Sequence, residues 1–182
     1  MDSRRRGETG DFYISATEVT FDQFDAYCDA TGIQKLEDTY GRGKQPVVNV
    51  NVPEAQAFCA WLSKQTGSTV RLPTSEEWIY AAEGGNKSES HLFSGASSDA
   101  DEVSWNAENS DERNHEVATR QPNELGIYDM SGNVWEMCPA SNEICGGSSA
   151  SIPQHCFTSS STEIDDGNER SAIVGFRLVK QK

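Results

Sequence analysis

Basic residues are scarce in this chain: 15 Lys and Arg stand against 29 Asp and Glu, for a formal charge of -14. So acidic a surface repels phosphate backbones, and no local basic patch offsets it, so nucleic acid is not expected as a partner. The acidity itself reads as a solvated surface. No apolar run approaches the roughly 20 residues needed to cross a bilayer, which argues against membrane insertion. A secretory leader is not expected either, because Arg4-Arg5-Arg6 is followed by Gly7-Glu8-Thr9-Gly10-Asp11 and not by an apolar stretch. The compartment and the oligomeric state stay open. Cys28, Cys59, Cys138, Cys145 and Cys156 are odd in number and show no CxxC or Cys/His ligand spacing, so a zinc site built on them is not expected. Cys28 and Cys59 read as small core hydrophobes, whereas Cys138, Cys145 and Cys156 are close enough in sequence for one disulfide among them. His91, His115 and His155 share no spacing with a nucleophile, and no catalytic triad is evident.

With 35% hydrophobic and 24% charged residues, the chain has enough apolar material for a core of its own. Residues 1–11 read as a flexible N-terminus and residues 12–182 as a single domain. Phe12-Tyr13-Ile14 suits a short edge strand. Three helix starts follow, each marked by a capping box: Thr20 with Gln23, Asn51 with Glu54, and Thr74 with Glu77. Gly32, Gly67 and Gly84-Gly85 supply the stops. Val47-Val48-Asn49-Val50 is extended or a short strand, and Val70-Arg71-Leu72 is extended ahead of Pro73. From Asn86 to Glu124 strong periodicity is lost, with Trp105 as the expected anchor. Helices early and short β segments late give an α+β domain.

Two segments organise the rest. In Asn123–Glu136 the apolar Leu125, Ile127, Val134 and Trp135 are interrupted by Gly126, Ser131 and Gly132, the pattern of a buried turn-and-strand core. The tail beyond it is mostly polar or small between two anchors, Gly146-Gly147-Ser148 and Gly175-Phe176-Arg177-Leu178-Val179. A polar tail held at both ends suits a displayed surface. Trp61, Trp78, Trp105 and Trp135 read as core anchors, and Arg177 as the partner of a buried carboxylate.

Several motifs occur together and in a known order: Pro46-Val-Val-Asn-Val, Ala55-Gln-Ala-Phe-Cys-Ala-Trp-Leu, Arg71-Leu-Pro-Thr-Ser-Glu-Glu-Trp-Ile-Tyr-Ala-Ala, Asn123-Glu-Leu-Gly-Ile-Tyr-Asp-Met-Ser-Gly-Asn-Val-Trp-Glu, Gly146-Gly-Ser and Gly175-Phe-Arg-Leu-Val. In these the chain resembles the formylglycine-generating enzyme (sulfatase-modifying factor) domain family from about Phe12 to Val179. The resemblance implies a C-type-lectin-like fold in its formylglycine-generating-enzyme variant: two or three early helices, short strands and much irregular structure. It implies two alternative activities. In the enzymes, a cysteine pair in the tail binds copper and oxidises a sulfatase cysteine to formylglycine. Here Cys156 falls at the first of those positions, but Ser161 falls at the second, and a hydroxyl cannot replace a thiolate as a ligand for soft Cu(I). The chain is therefore read as a non-enzyme. The other branch comprises the variable proteins of diversity-generating retroelements, whose C-terminal variable region is altered by adenine-directed mutagenesis.

That second resemblance implies a variable binding region at residues 149–174. Its candidate ligand-binding residues are Ser149, Ser151, Ile152, His155, Phe157, Ser159, Ser161, Asp165 and Asn168. Hydroxyls give adaptable hydrogen bonds, while Phe157 and His155 offer planar contact area. The expected partner is a protein ligand on another cell or particle, which would place the chain on a cell surface or virion. No cofactor is expected apart from calcium, which the resemblance raises at Asn133, Val134 and Glu136. Oxygen donors suit that ion, and the competing reading is that Asn133 and Glu136 hydrogen-bond the core turn.

Overall fold

A computed structural model describes residues 11–95, 97–164 and 167–182. It opens with β1 (Phe12–Ile14), followed by helices α1 (Phe21–Thr31) and α2 (Val52–Thr66), β2 (Val70–Arg71) and α3 (Ser75–Ala82). A one-turn helix, α4 (Ala100–Val103), interrupts the irregular middle. The second half is short strands: β3 (Trp135–Cys138), β4 (Glu143–Cys145), β5 (Ser161–Glu163), β6 (Val174–Gly175) and β7 (Val179–Gln181).

All three helix starts are capped as the sequence indicates. The side chains of Thr20, Asn51 and Thr74 accept from the backbone N–H groups of Gln23, Glu54 and Glu77, and each of those side chains reaches back to the cap. Such reciprocal bonds satisfy donors that a helix leaves orphaned at its first turn, typically worth about 1 kcal/mol each. Gly32 and Gly67 end α1 and α2 in the left-handed conformation. The helix α3 instead closes at Glu83, with Gly84 taking the left-handed turn just beyond.

Two small sheets hold the chain ends and the tail. In the first, β7 lies between β1 and β2, antiparallel to both, so the last residues are paired with the first. In the second the order is β5-β4-β3-β6, antiparallel except that β3 and β6 run parallel. The main core gathers Phe21, Phe24, Tyr27, Phe58 and Phe176 with Val47, Val48 and Val50. Phe24 stacks on Phe58 at 5.5 Å, and Phe176 meets Phe58 edge-on at 5.7 Å. This aromatic nest binds α1 and α2 to the Gly-Phe-Arg anchor. Val47, Val48 and Val50 are buried, but the segment forms no strand, because Asn49 bends it with a left-handed φ of 55°. Cys28 and Cys59 pack inside this core as small hydrophobes.

Four expectations need correcting. Trp78 alone among the tryptophans is fully buried; Trp61, Trp105 and Trp135 are half-buried. Leu125 points outward, because the Asn123 carboxamide accepts from the N–H groups of both Leu125 and Ile127 and so folds a turn that sends Ile127 inward. No disulfide links the late cysteines: all five are free and buried. Finally, α4 went unread. Its cap, Asp99, starts only a single turn, too short to show periodicity.

Candidate functional site

Beneath the tail lies a buried polar hub. Arg177 and Glu136 are both fully buried, and the guanidinium grips both carboxylate oxygens, Nε to Oε2 at 2.5 Å and Nη2 to Oε1 at 2.7 Å. Trp78 Nε1 donates to the same Oε2 at 2.7 Å. The remaining guanidinium donors reach the carbonyls of Ser15 and Tyr128. Arg177 thus finds the buried carboxylate expected of it.

Glu18 and Asp129 are buried beside this pair, so three carboxyl groups share one guanidinium. They cannot all remain ionised out of water. Desolvation, then the charges of Asp129 and Glu136, push the Glu18 carboxyl well above its ordinary value. The hydrogen bonds agree. Glu18 Oε1 accepts from Asn133 Nδ2 at 3.0 Å, while Oε2 meets no donor among the described residues and can itself donate, once protonated, to Asp129. Burial raises Asp129 too, although the Ala118 N–H bonded to its Oδ2 at 2.7 Å and the Arg177 charge work against that.

A raised acid in the folded state means that the folded protein holds a proton which the unfolded chain releases. The stability this contributes is complete below the unfolded value and declines as pH rises through the folded one. Glu18→Gln should therefore flatten the loss of stability above about pH 5, since the amide mimics the protonated acid. Urea denaturation followed from pH 5 to 9 checks this: the variant should overtake the parent at the alkaline end, with Asp129 supplying a residual slope. A variant that loses stability equally at every pH would contradict a protonated Glu18.

Asn133 is the hinge between hub and tail. Its Oδ1 accepts from His115 N, its carbonyl accepts from Ser149 N at 2.8 Å, and its φ of 60° suits asparagine better than most side chains. These bonds already occupy the side-chain oxygens that a calcium ion would use. Both Glu136 oxygens face a guanidinium, and the Asn133 oxygen is held by a backbone donor. A cation between the Asn133 and Glu136 side chains would meet Arg177 at close range, so these two side chains as placed do not suit a calcium ion. The hydrogen-bonded-turn reading of this segment is the one that its geometry favours.

The tail divides in two. Ser149 and Ser151, read from sequence as display residues, are buried. Ser149 Oγ donates to Asn114 Oδ1 at 2.8 Å, and Ser149 O accepts from Ser110 Oγ; Ser151 Oγ accepts from Ser148 N, and Ser151 O from Ala107 N. Their hydroxyls and carbonyls stitch the start of the tail to residues 106–114, so they frame the surface and do not form it. Thr158 is buried as well, its N–H on Leu92 O at 2.9 Å. By contrast Ile152, His155, Ser159 and Ser161 are exposed, Ile152 by 49%. Phe157 is half-buried, its ring set edge-on to Phe93 at 5.1 Å. Asn168 is exposed at the far end of the tail, beside the start of α2, where Val52 N bonds Gly167 O. Asp165 lies outside the described residues.

One neighbour of the tail lies outside the residues read from the sequence. Leu92, 60% exposed, is drawn alongside by the Thr158 bond and adds apolar area next to Phe157. Nothing in the irregular stretch around it signals that role. A polar depression of about 320 Å³ lies elsewhere, lined by Tyr40, Gln45, Trp105, Arg113, His115 and Thr119 among others. Trp105 offers no free ring face to it: the His115 ring stacks at 3.6 Å, and the Arg120 guanidinium lies 3.6 Å from the same centroid, which sterically requires the opposite side.

The redox alternative can be judged on the same geometry. Cys156 is fully buried with Phe93 and Val103, and burial lifts its thiol to about 12. Its sulfur faces the carbonyls of Ser148 and Ile152. Cys138 and Cys145 belong to a different cluster, under Trp78. Ser161, which the resemblance puts at the second position, is exposed on β5 and bonds Glu143 Oε1. A buried thiol held protonated among carbonyls is a poor ligand for a cuprous ion, which favours soft thiolate or thioether donors.

The sulfatase-modifying factor enzyme 1-like domain matches this sequence over residues 3–182. The chain belongs to that family. Among curated relatives it is 37% identical over 131 residues to the chaperone protein LppX of Paenibacillus barcinonensis, covering 62% of this chain and 46% of that protein. It is 35% identical over 100 residues to the inactive C-alpha-formylglycine-generating enzyme 2 of Bos taurus, covering 50% and 31%. The chain therefore spans less than half the length of these relatives. Among solved structures, Treponema denticola variable protein 1 superposes with a TM-score of 0.78 at 26% identity, over 94% of this chain and 84% of that one. The fold is thus the C-type-lectin-like fold of the formylglycine-generating-enzyme family, as the resemblance implied. The family accommodates both proteins named as enzymes and proteins named as inactive or variable.

Proposed function

We propose that this family member is a non-catalytic recognition module, a variable protein of a diversity-generating retroelement, that presents its tail to a protein ligand on another cell or particle. One observation carries the reading: within a single short segment, side chains alternate between a fixed frame and an outward set. Ser149, Ser151, Cys156 and Thr158 are buried, whereas Ile152, His155, Ser159 and Ser161 are exposed. With Leu92 and the edge of Phe157, the outward set forms a mixed apolar and hydroxyl surface suited to protein contact. Its backbone is held by bonds that do not depend on the exposed side chains, so those can change without loss of the frame. The buried neutral thiol and the relatedness to a protein named as inactive both favour this over oxidase chemistry.

Comparison of gene copies tests the proposal. Substitutions should concentrate at Ile152, His155, Phe157, Ser159, Ser161 and Asn168, differ from a template mainly at adenines, and spare Ser149, Ser151 and Cys156. An even spread across the chain, or no template, would overturn it. Incubation with copper and a Cys-x-Pro-x-Arg peptide should yield no aldehyde; turnover lost in Cys156→Ser would restore the enzyme reading.

The division of the tail also makes a stability prediction. Ser149→Ala removes a buried donor and strands Asn114 Oδ1, for an expected loss of about 1–3 kcal/mol. Ser159→Ala, on the outward set, should stay within about 0.5 kcal/mol of the parent. Chemical denaturation of the two variants side by side gives the comparison.

A further inference from the structure

We propose that Glu89, His91 and Glu124 form a binding site for a divalent transition metal of the zinc class. One ligand atom from each residue lies within 4.8 Å of the others. The imidazole is already oriented for the task. Its Nδ1 is 3.3 Å from Ser98 Oγ, the kind of outer contact that fixes a tautomer and leaves the other nitrogen as a lone-pair donor. That other nitrogen, Nε2, is screened from solvent and has no hydrogen-bond partner among the described residues, although Glu89 Oε2 lies 3.5 Å away. A shielded, unpaired imidazole nitrogen facing carboxylates gains most from a cation.

Glu124 is the anchored carboxylate. Its Oε1 accepts from Glu89 N at 3.3 Å, and the group rests on Gly84, where a Cβ would come within 2.5 Å of Oε2. Glu89 is the mobile one: its side chain is 71% exposed and free to swing inward. Bonds near 2.0–2.1 Å bring ligand atoms to about 3.3 Å from one another. His91 Nε2 and Glu89 Oε2 already stand at 3.5 Å, so the adjustment left is the approach to Glu124, which starts within 4.8 Å of both. A mixed nitrogen and oxygen donor set selects zinc, cobalt or nickel over calcium and magnesium, which prefer oxygen alone. Three protein ligands leave room for water to complete a tetrahedron. The site lies immediately before Leu92, whose carbonyl holds Thr158, so a bound ion would brace the loop that backs the tail. The assignment does not depend on the recognition reading.

Titration of the full chain with zinc alone, followed by calorimetry, should give saturable binding of one ion. Cobalt substitution followed by X-ray absorption should show one imidazole with oxygen neighbours and no sulfur. His91→Ala and Glu124→Gln should each weaken uptake more than tenfold, and Ser98→Ala should weaken it by about tenfold while leaving all three ligands in place. His155→Ala, which removes an exposed imidazole, should leave zinc uptake unchanged. No saturable binding, uptake that survives His91→Ala, loss of uptake in His155→Ala, or sulfur in the cobalt shell would overturn the proposal. Circular dichroism separates a lost ligand from a lost fold, and the Ser98 variant with the absorption spectrum decides the matter if His91→Ala does not fold.

Discussion

Replacing Arg177 by Leu should cost about 3–5 kcal/mol, the range for breaking a buried ion pair by removing one partner. The loss comes less from the bonds themselves than from what is left behind. Glu136 would remain fully buried with only Trp78 Nε1 as donor, and Glu18 and Asp129 would lose the positive charge that moderates their repulsion. The carbonyls of Ser15 and Tyr128 would also be orphaned. Adding Glu136→Gln should recover part of the loss, with a coupling on the order of 2 kcal/mol, because the amide carries no charge and its oxygen can still accept from Trp78. Urea denaturation of the two single variants and the double variant measures it. A loss under about 1 kcal/mol for Arg177→Leu would mean that the hub is a bystander in the fold.

The hub shows how far sequence reasoning reaches. Capping boxes were legible because they are local: Thr20 and Gln23 are neighbours in sequence and make their bonds within one turn. Arg177 was legible as the partner of some buried carboxylate, but not of which one, since Glu136 lies 41 positions earlier. Glu18 and Asp129 gave no signal at all. Each is a single acid in an ordinary context, buried only because two distant segments converge.

The tail repeats this lesson. Ser149, Ser151, Ser159 and Ser161 are the same residue type in one polar stretch, and composition cannot separate them. What separates them is long-range: Asn114, Asn133 and Ala107 claim the first two, while the latter two face outward. Whether a serine frames a surface or forms it is therefore settled by partners far away in sequence. In the sequence Cys156 stood open between a disulfide with Cys138 or Cys145 and a free thiol, and its burial against Phe93 and Val103 depended on the irregular middle, where periodicity is silent.

The second large effect tests the joint between that middle and the tail. Gly132→Ala should destabilise the protein by about 3 kcal/mol or more, whereas Gly126→Ala should cost only the roughly 1–2 kcal/mol of placing a side chain in the left-handed region. Both glycines have that conformation, at φ of 81° and 78°. They differ in surroundings: a Cβ at Gly126 meets nothing within 4 Å, but at Gly132 it would lie 2.1 Å from the Trp105 carbonyl oxygen and 2.9 Å from its carbon. Backbone cannot rotate away as a side-chain tip can, so the bridge between Trp105 and Gly132 must open. Opening it strains the bonds from Asn133 N to Trp105 O and from Gly132 N to Gly146 O, and the second of these holds the entry to the tail. Thermal denaturation of both variants isolates the clash from the shared strain. Amide exchange at residues 146–151 should quicken in the Gly132 variant alone, because only there does the frame beneath the exposed residues lose its footing; equal exchange in the two would show that tail and middle are held independently.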